Sequence, residues 1–233
     1  MEFQYAGKDL EAMSFAENYH RWILDEFYPF LGQNVAEVGA GIGDFSKFLI
    51  EAKIESLVAF EPSSKMYQSL GEKFETHTQV QTINGFFDEK AIQSQNKFNS
   101  ICYVNVLEHI EDDKKTLADA YQALAPQGHV LIFVPALAFL FSEQDKIVGH
   151  FRRYSKMDLF DKVTGAGFHI KELKYFDIFG IIPWYLAFVL LKQKAKPSNV
   201  SIYDKIVVPI GRKLEQFIPP PIGKNLILVG QKR

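Results

Sequence analysis

Residues 34–46 read NVAEVGAGIGDFS, and the parsing of this stretch decides the fold. Val35, Ala36 and Val38 form a short apolar run that enters three alternating glycines, Gly39, Gly41 and Gly43. Phe45, Phe48, Leu49 and Ala52 then recur at helical spacing. A strand, a glycine turn and a helix in that order form a ligand cradle. The glycines let the backbone come close to a bound molecule, and the helix N-terminus offers unpaired N–H groups. A dinucleotide fingerprint needs G-x-G-x-x-G, but the position three after Gly41 is Asp44. The plain alternative is a turn that only joins strand to helix.

Working outward, Ser56–Phe60 reads as a second strand ending at Glu61-Pro62. Glu61 lies 20 positions past Gly41. A carboxylate at the tip of that strand can accept both hydroxyls of a ribose. Pro62 suits the first turn of a following helix. Val80–Ile83 reads as a third strand, turned by Asn84-Gly85 and followed by Phe86, Phe87 and Asp88. Phe98–Val104, the fourth, is mostly apolar, as expected of a strand covered on both faces. It runs into Asn105-Val106-Leu107-Glu108-His109-Ile110-Glu111-Asp112-Asp113 and a helix to about Ala125, whose first-turn acids complement the helix dipole. Gly128–Pro135, Phe168–Tyr175 and Asn225–Val229 complete seven strands, with a helix over Tyr154–Gly167 opened by Ser155-x-x-Asp158. Upstream, about Lys8–Leu31 reads as one or two helices with Phe15, Tyr19, Trp22 and Ile23 at helical spacing. Alternating helices and strands predict an α/β fold with a doubly wound, mostly parallel sheet.

Composition narrows the function classes. The 233 residues carry 47% hydrophobic and 23% charged side chains, an ordinary globular balance in which one sizeable core can form. A formal net charge of −2 gives no electrostatic footprint for nucleic acid. The single Cys102 rules out an internal disulfide, suits a reducing cytoplasm, and sits in an apolar run where a buried small hydrophobe is expected. The start, MEFQYAGKDLEAM, has no basic region followed by an apolar one, so a cytoplasmic location is expected.

The motif Glu37-Val-Gly39-Ala40-Gly41-Ile-Gly43 resembles the first motif of class I S-adenosylmethionine-dependent methyltransferases. Glu108-His109-Ile110-Glu111-Asp112-Asp113, after the fourth strand, resembles the fourth-motif segment of small-molecule members. Asp145…Gly149-His150-Phe-Arg152-Arg153-Tyr154 resembles a D…GHxRRY stretch found in a subgroup of them. The resemblance covers about Trp22–Tyr175 plus the final strand. It implies a Rossmann-like seven-stranded sheet whose last strand inserts antiparallel between the fifth and sixth. It also implies S-adenosylmethionine as cofactor and in-line methyl transfer to a small-molecule or apolar acceptor. By the same resemblance, Glu37, Gly39, Ala40, Gly41 and Gly43 shape the methionine side of the pocket, and Glu61 with Pro62 takes the ribose. Gly85, Phe86 and Phe87 flank the adenine, while Asn105 and Val106 border the sulfonium. An aspartate that commonly follows the third strand is absent, leaving backbone groups near Phe86, or Asp88, to meet the base. His109 and His150 are the candidate catalytic residues, and Arg152 and Tyr154 are expected to face the acceptor. The structural alternative pairs the arginines with acids and lets His150 bond a carbonyl. Phe15 or Tyr19 could reach the cofactor, though burial in the core is the expectation for both. Where some relatives carry E-x-x-E-H this chain has Asn105-x-x-Glu108-His109, and the lost carboxylate argues against a metal.

The residues divide as a single domain over 1–233, with cap helices at 8–31, a core sheet from 34–175 and 224–232, and an insertion at 176–221. Within the insertion, 178–191 reads IFGIIPWYLAFVLL without a charge, followed by Lys192, Lys194 and Lys196. It is shorter than the roughly 20 residues that cross a bilayer, so a buried substrate lid is expected. Weak membrane-surface contact through 176–196 is the alternative. Two readings compete with the enzyme: a methyltransferase-like binding or regulatory module without turnover, and a nicotinamide-dependent oxidoreductase, disfavoured by the missing fingerprint glycine.

Overall fold

The computed structural model describes residues 16–88, 97–193 and 197–233. Phe15 and the expected start of the cap helix at 8–15 lie outside the described residues. Helix α1 (Glu17–Phe27) leads into strand β1 (Asn34–Val38), followed by α2 (Asp44–Glu51), β2 (Ser56–Glu61), α3 (Ser64–Phe74) and β3 (Val80–Asn84). Then come β4 (Phe98–Val104), α4 (Asp113–Ala123), β5 (Leu124–Pro135), α5 (Glu143–Ile147), α6 (Lys156–Gly165) and β6 (His169–Phe176). The insertion holds α7 (Ile181–Trp184), α8 (Pro197–Ile202) and α9 (Val208–Glu215), and β7 (Asn225–Gln231) closes the chain.

The seven strands form one sheet in the order β3-β2-β1-β4-β5-β7-β6. Neighbours from β3 to β5 pair in parallel, whereas β7 runs antiparallel to both β5 and β6. This is the topology the resemblance implies. Alternate residues of each strand feed two cores, one on either face, as the two-residue period of a strand requires. Val35, Leu57, Cys102, Phe133 and Ile227 meet Trp22, Phe27, Phe48 and Leu49 on one face. Ala36, Val58, Ile101, Ile132 and Leu228 meet Leu117, Leu159 and Val163 on the other. Cys102 is buried and free, as expected.

β5 begins earlier than the glycine at 128 predicts. Leu124 already pairs with Phe98, and the Pro126-Gln127-Gly128 turn is absorbed as a register shift, with Gln127 left-handed at φ 65°. The helix before it therefore stops at Ala123.

The insertion departs most from expectation. The charge-free stretch is helical but not buried: Ile182, Leu186, Leu190 and Leu191 are exposed. The fourteen apolar residues supply more apolar surface than one side of a helix can turn inward. A second helical run follows, α8, a π-helical Tyr203–Val207 and α9, for which the sequence analysis assigns no element. Tyr185–Leu190 and Tyr203–Val207 are π-helical, and Pro209, just past the second, lacks the N–H that would continue the regular ladder there.

This second run tethers α1. Ala16 gives α1 no side-chain cap. Buried Asp204 instead accepts from the backbone N–H of Asn18 at 3.1 Å and of Tyr19 at 2.8 Å, and from Asn18 Nδ2 at 3.0 Å. Asp177 ties the same region to the sheet, accepting from Tyr19 Oη (3.0 Å), Tyr203 Oη (2.5 Å) and the Gly180 N–H (2.9 Å), and pairing with Lys224 at 2.9 Å. Asp204→Ala should therefore cost about 2 kcal/mol of unfolding free energy, since it orphans helix-start donors. Urea unfolding would show a lower midpoint, partly restored in Asp204→Asn. An unchanged midpoint in Asp204→Ala would mean that α1 holds its start without this cap.

Candidate functional site

The carboxyl ends of the strands gather the site, as open α/β sheets require. Gly39, Gly41 and Gly43 all take left-handed backbone angles, φ 68°, 59° and 81°. A Cβ on Gly39 would lie 2.8 Å from Val106 Cγ2, and one on Gly43 would lie 2.4 Å from the Phe74 ring. The turn is thus fixed both by conformation and by close approach. Glu61 secures it from the side: Oε2 accepts from the Gly41 N–H and Oε1 from the Ser63 N–H, each at 2.8 Å. Glu37 lies buried behind the turn, accepting from Ser46 Oγ at 2.5 Å. Burial pushes its carboxyl up to about 8, against the opposing Ser46 bond and Lys73 charge.

A cavity of about 200 Å³ opens over this turn. Of the expected cofactor residues, Glu37, Gly39, Ala40, Gly41 and Asn105 line it, joined by both candidate histidines, His109 and His150. Gly43, Glu61, Pro62, Gly85, Phe86, Phe87 and Val106 do not. Val106 packs on Gly39, and the Glu61 carboxylate turns to the glycine turn. Phe86 is exposed, while Phe87 is buried with its ring against Phe60 and Tyr103. Asn105 holds a left-handed angle of φ 54°, the strain of a chain turning sharply off β4.

A second cavity, about 250 Å³, adjoins the first. Its walls come from α1, α5 and the insertion: Pro183, Trp184, Ala187, Phe188, Val200 and Tyr203 among others. Tyr19, His150, Trp184 and Lys224 line both cavities, so His150 stands at their junction. Tyr19 is buried, as expected, and also faces this junction.

His150 is held by a buried acid. Its Nδ1 lies 2.9 Å from Asp145 Oδ1. Asp145 also accepts from Ser142 Oγ and pairs with Arg153 at 2.8 Å. Burial raises the Asp145 carboxyl, but the bond from His150, the Arg153 charge and Ser142 outweigh it and hold it below the usual range. Asp145 orients the ring through Nδ1, which leaves Nε2 3.9 Å from Glu108 Oε1. Glu108 is fully buried and accepts no side-chain hydrogen bond from another described residue. Burial lifts it to about 7, despite the opposing pull of His150. The His109 ring stands edge-on to His150 at 4.6 Å, and burial, then the His150 charge, lower it to about 4, so it is neutral at physiological pH.

Glu108, His109 and His150 bring ligand atoms within 4.8 Å of one another, a juxtaposition the N-x-x-E-H pattern alone could not reveal because His150 comes from beyond β5. Arg152 and Tyr154 correct an expectation. Neither lines a cavity. Tyr154 is buried with its hydroxyl donating to Asp113 at 2.8 Å, and Arg152 bonds the carbonyls of Ile110 and Glu111 and pairs with Asp113. They brace the segment that carries His150. Lys224 and Trp184 had no local signal, since only folding brings the last strand and the insertion to this junction.

The raised carboxyls set a pH dependence. Glu37 near 8 and Glu108 near 7 bind protons in the folded chain at a pH where the unfolded chain, near 4.5, has lost them. Their stabilisation is full below about pH 4.5 and drains away as pH rises through 7 and 8. His109, lowered to about 4 from 6.5, acts oppositely and only below about pH 6.5. The Tm of the ligand-free protein should therefore fall between about pH 6.5 and 8.5, and Glu37→Gln should flatten the upper part of that fall. Differential scanning fluorimetry across the range checks it.

The sequence model of a family described as a methyltransferase domain matches residues 12–173. Among solved structures, an S-adenosylmethionine-dependent methyltransferase from Thermotoga maritima is 20% identical, with TM-score 0.62, covering 96% of this chain and 94% of that one. The N-methyltransferase NodS from Bradyrhizobium japonicum, solved with S-adenosyl-l-homocysteine, is 13% identical with TM-score 0.62, covering 97% and 93%. An O-methyltransferase family protein from Burkholderia thailandensis is 10% identical with TM-score 0.66, covering 95% of this chain and 57% of that one. A curated relative, a highly reducing polyketide synthase from Strobilurus tenacellus, is 30% identical over 106 residues, 42% of this chain but only 4% of that much longer protein.

Proposed function

This chain belongs to the methyltransferase-domain family, and we propose that it is an S-adenosylmethionine-dependent enzyme that methylates a heteroatom of an apolar small molecule, with His150 taking the acceptor's proton. The observation that carries this reading is the junction: His150, oriented by Asp145, lines both the cavity over the glycine turn and the apolar cavity of the insertion.

The residues over the glycine turn fit the cofactor. Close packing at Gly39 and Gly43 keeps side chains out of the turn, and buried Glu37 stands beside it with a carboxyl available to a cationic group. Gly39, Ala40, Gly41 and Glu37 would hold the methionine portion and Glu61 the ribose. Bound there, S-adenosylmethionine supplies an electrophilic methyl whose bonding pair stays with the departing sulfur. The chain has three tasks. Walls such as Trp184, Ala187 and Phe188 exclude water and align the acceptor. His150 Nε2 takes the proton of the acceptor hydroxyl or ammonium as the new bond to carbon forms. Asp145 on Nδ1 and Glu108 beside Nε2 then stabilise the resulting imidazolium.

His150→Ala should lower kcat by about a hundredfold or more over an apolar acceptor panel. Its affinity for S-adenosylhomocysteine should stay near that of the unsubstituted chain. Loss of cofactor affinity with unchanged kcat would assign His150 to binding. Glu61→Ala should instead weaken S-adenosylhomocysteine binding by about 1–3 kcal/mol, measured by calorimetry, because it removes charged hydrogen bonds and frees the Gly41 N–H. Unchanged affinity in that variant would remove the ribose assignment.

A further inference from the structure

The helices that wall the apolar cavity turn a second apolar face outward. Pro183, Trp184, Ala187 and Phe188 point into the cavity, whereas Ile182, Leu186, Leu190 and Leu191 on the other side of the same helix are exposed. The second run repeats the arrangement. Val200 and Tyr203 line the cavity, and Ile202, Ile206, Ile210 and Leu214 follow at four-residue intervals along the exposed side, continued by Phe217 and Ile218. Ile182 is 68% exposed, Phe217 78% and Ile218 74%, whereas the apolar residues of β1, β2, β4 and β7 are largely buried. The two runs are joined at their base. Glu215 accepts from the backbone N–H groups of Asp177 and Ile178, and Gly211 lies against Phe179. Apolar faces of this extent mark interaction sites on proteins that otherwise cover themselves with polar groups.

The charges choose the partner. Among the described residues 178–193 and 197–222 the acids are Asp204, buried as the cap of α1, and Glu215, turned inward. The exposed charges are Lys192, Lys205 and Lys213, all basic, while Arg212 pairs with Asp25. An apolar helical face with basic residues and no exposed acid is the pattern of a helix lying in a membrane interface. The apolar side chains enter the acyl boundary and each lysine meets anionic headgroups. Among the described residues no helix is long and apolar enough to cross a membrane.

We propose that the outer face of the insertion, from Ile182 to Leu191 and from Ile202 to Ile218, docks on an anionic lipid surface, so that the apolar acceptor passes from the membrane into the cavity behind it. The docking stands on the exposed faces and their charge alone. The delivery of an acceptor rests on the proposed function.

Flotation with phosphatidylglycerol–phosphatidylcholine vesicles tests the docking. The intact chain should float with these vesicles at low salt, severalfold less at about 0.5 M salt and little with phosphatidylcholine alone, because screening removes the lysine contribution. The triple variant Ile206→Glu, Ile210→Glu, Phe217→Glu should lose at least tenfold in vesicle-bound fraction. Its Tm and S-adenosylhomocysteine affinity should hold, which shows that the cofactor site is intact. Wild-type protein that stays at the bottom of the gradient, or a triple variant that floats like wild type, overturns the proposal. So does light scattering that finds a dimer dissociated by the same substitutions, which assigns the face to a second copy. If docking holds but no acceptor is turned over, the failure belongs to the proposed function.

Discussion

The first strand of the sheet can leave the core only through a turn that has no room for side chains. Gly39 approaches Val106 from the loop after β4, and Gly43 approaches Leu70 and Phe74 of α3. Glu61, at the end of β2, fastens the Gly41 N–H. Three separate connections therefore agree on one backbone path, and that path leaves an open cavity above it. A side chain at either glycine would push apart α3 or the β4 loop, which frame the cleft. Buried Glu37 behind the turn adds a carboxyl whose charge burial disfavours.

A second buried acid organises the other side of the cleft. Asp145 gathers donors from Ser142, His150 and Arg153, and so fixes a histidine that has no strand or long helix beneath it. Arg153 in turn lies over the Trp184 ring at 4.7 Å, which links this carboxylate to the insertion. Asp113 plays a parallel part, holding Tyr154, Lys162 and Arg152 together where α4, α6 and the His150 segment meet. The arginines and tyrosine of the GHxRRY stretch serve as framework, and its histidine alone faces both cavities. Such networks of buried, satisfied polar groups make a loop as precise as a helix.

The insertion joins these parts to the surface. Asp204 caps α1, Asp177 bonds Tyr19 and Tyr203, and Lys224 at the start of β7 pairs with Asp177. Residues more than 150 positions apart thus close one cavity wall. The cost is an outer face that stays apolar. Sequence composition predicts burial for such a stretch, yet a helix on the rim of a domain has only one side to bury. That is why 178–191 was legible as a helix and misread as wholly buried. The run 197–215 was missed because Pro197 and Pro209 and its polar interruptions break a regular period.

The seven strands were legible within a residue or two, apart from the early start of β5, because fully covered strands must be apolar and their turns need glycine or proline. The glycine turn was legible for the same local reason. The chemistry at the junction was not. Glu108 is separated along the chain from Asp145 and His150 by α4 and β5, and Trp184 from Lys224 by the rest of the insertion. Sequence by itself determined the fold and the glycine turn, since both follow from local conformational rules about which residues can turn and which must hide. Only the tertiary structure decided which histidine stands at the junction of the two cavities and which apolar faces remain outside. Burial, charge pairing and tautomer depend on neighbours that folding alone brings within a few ångströms.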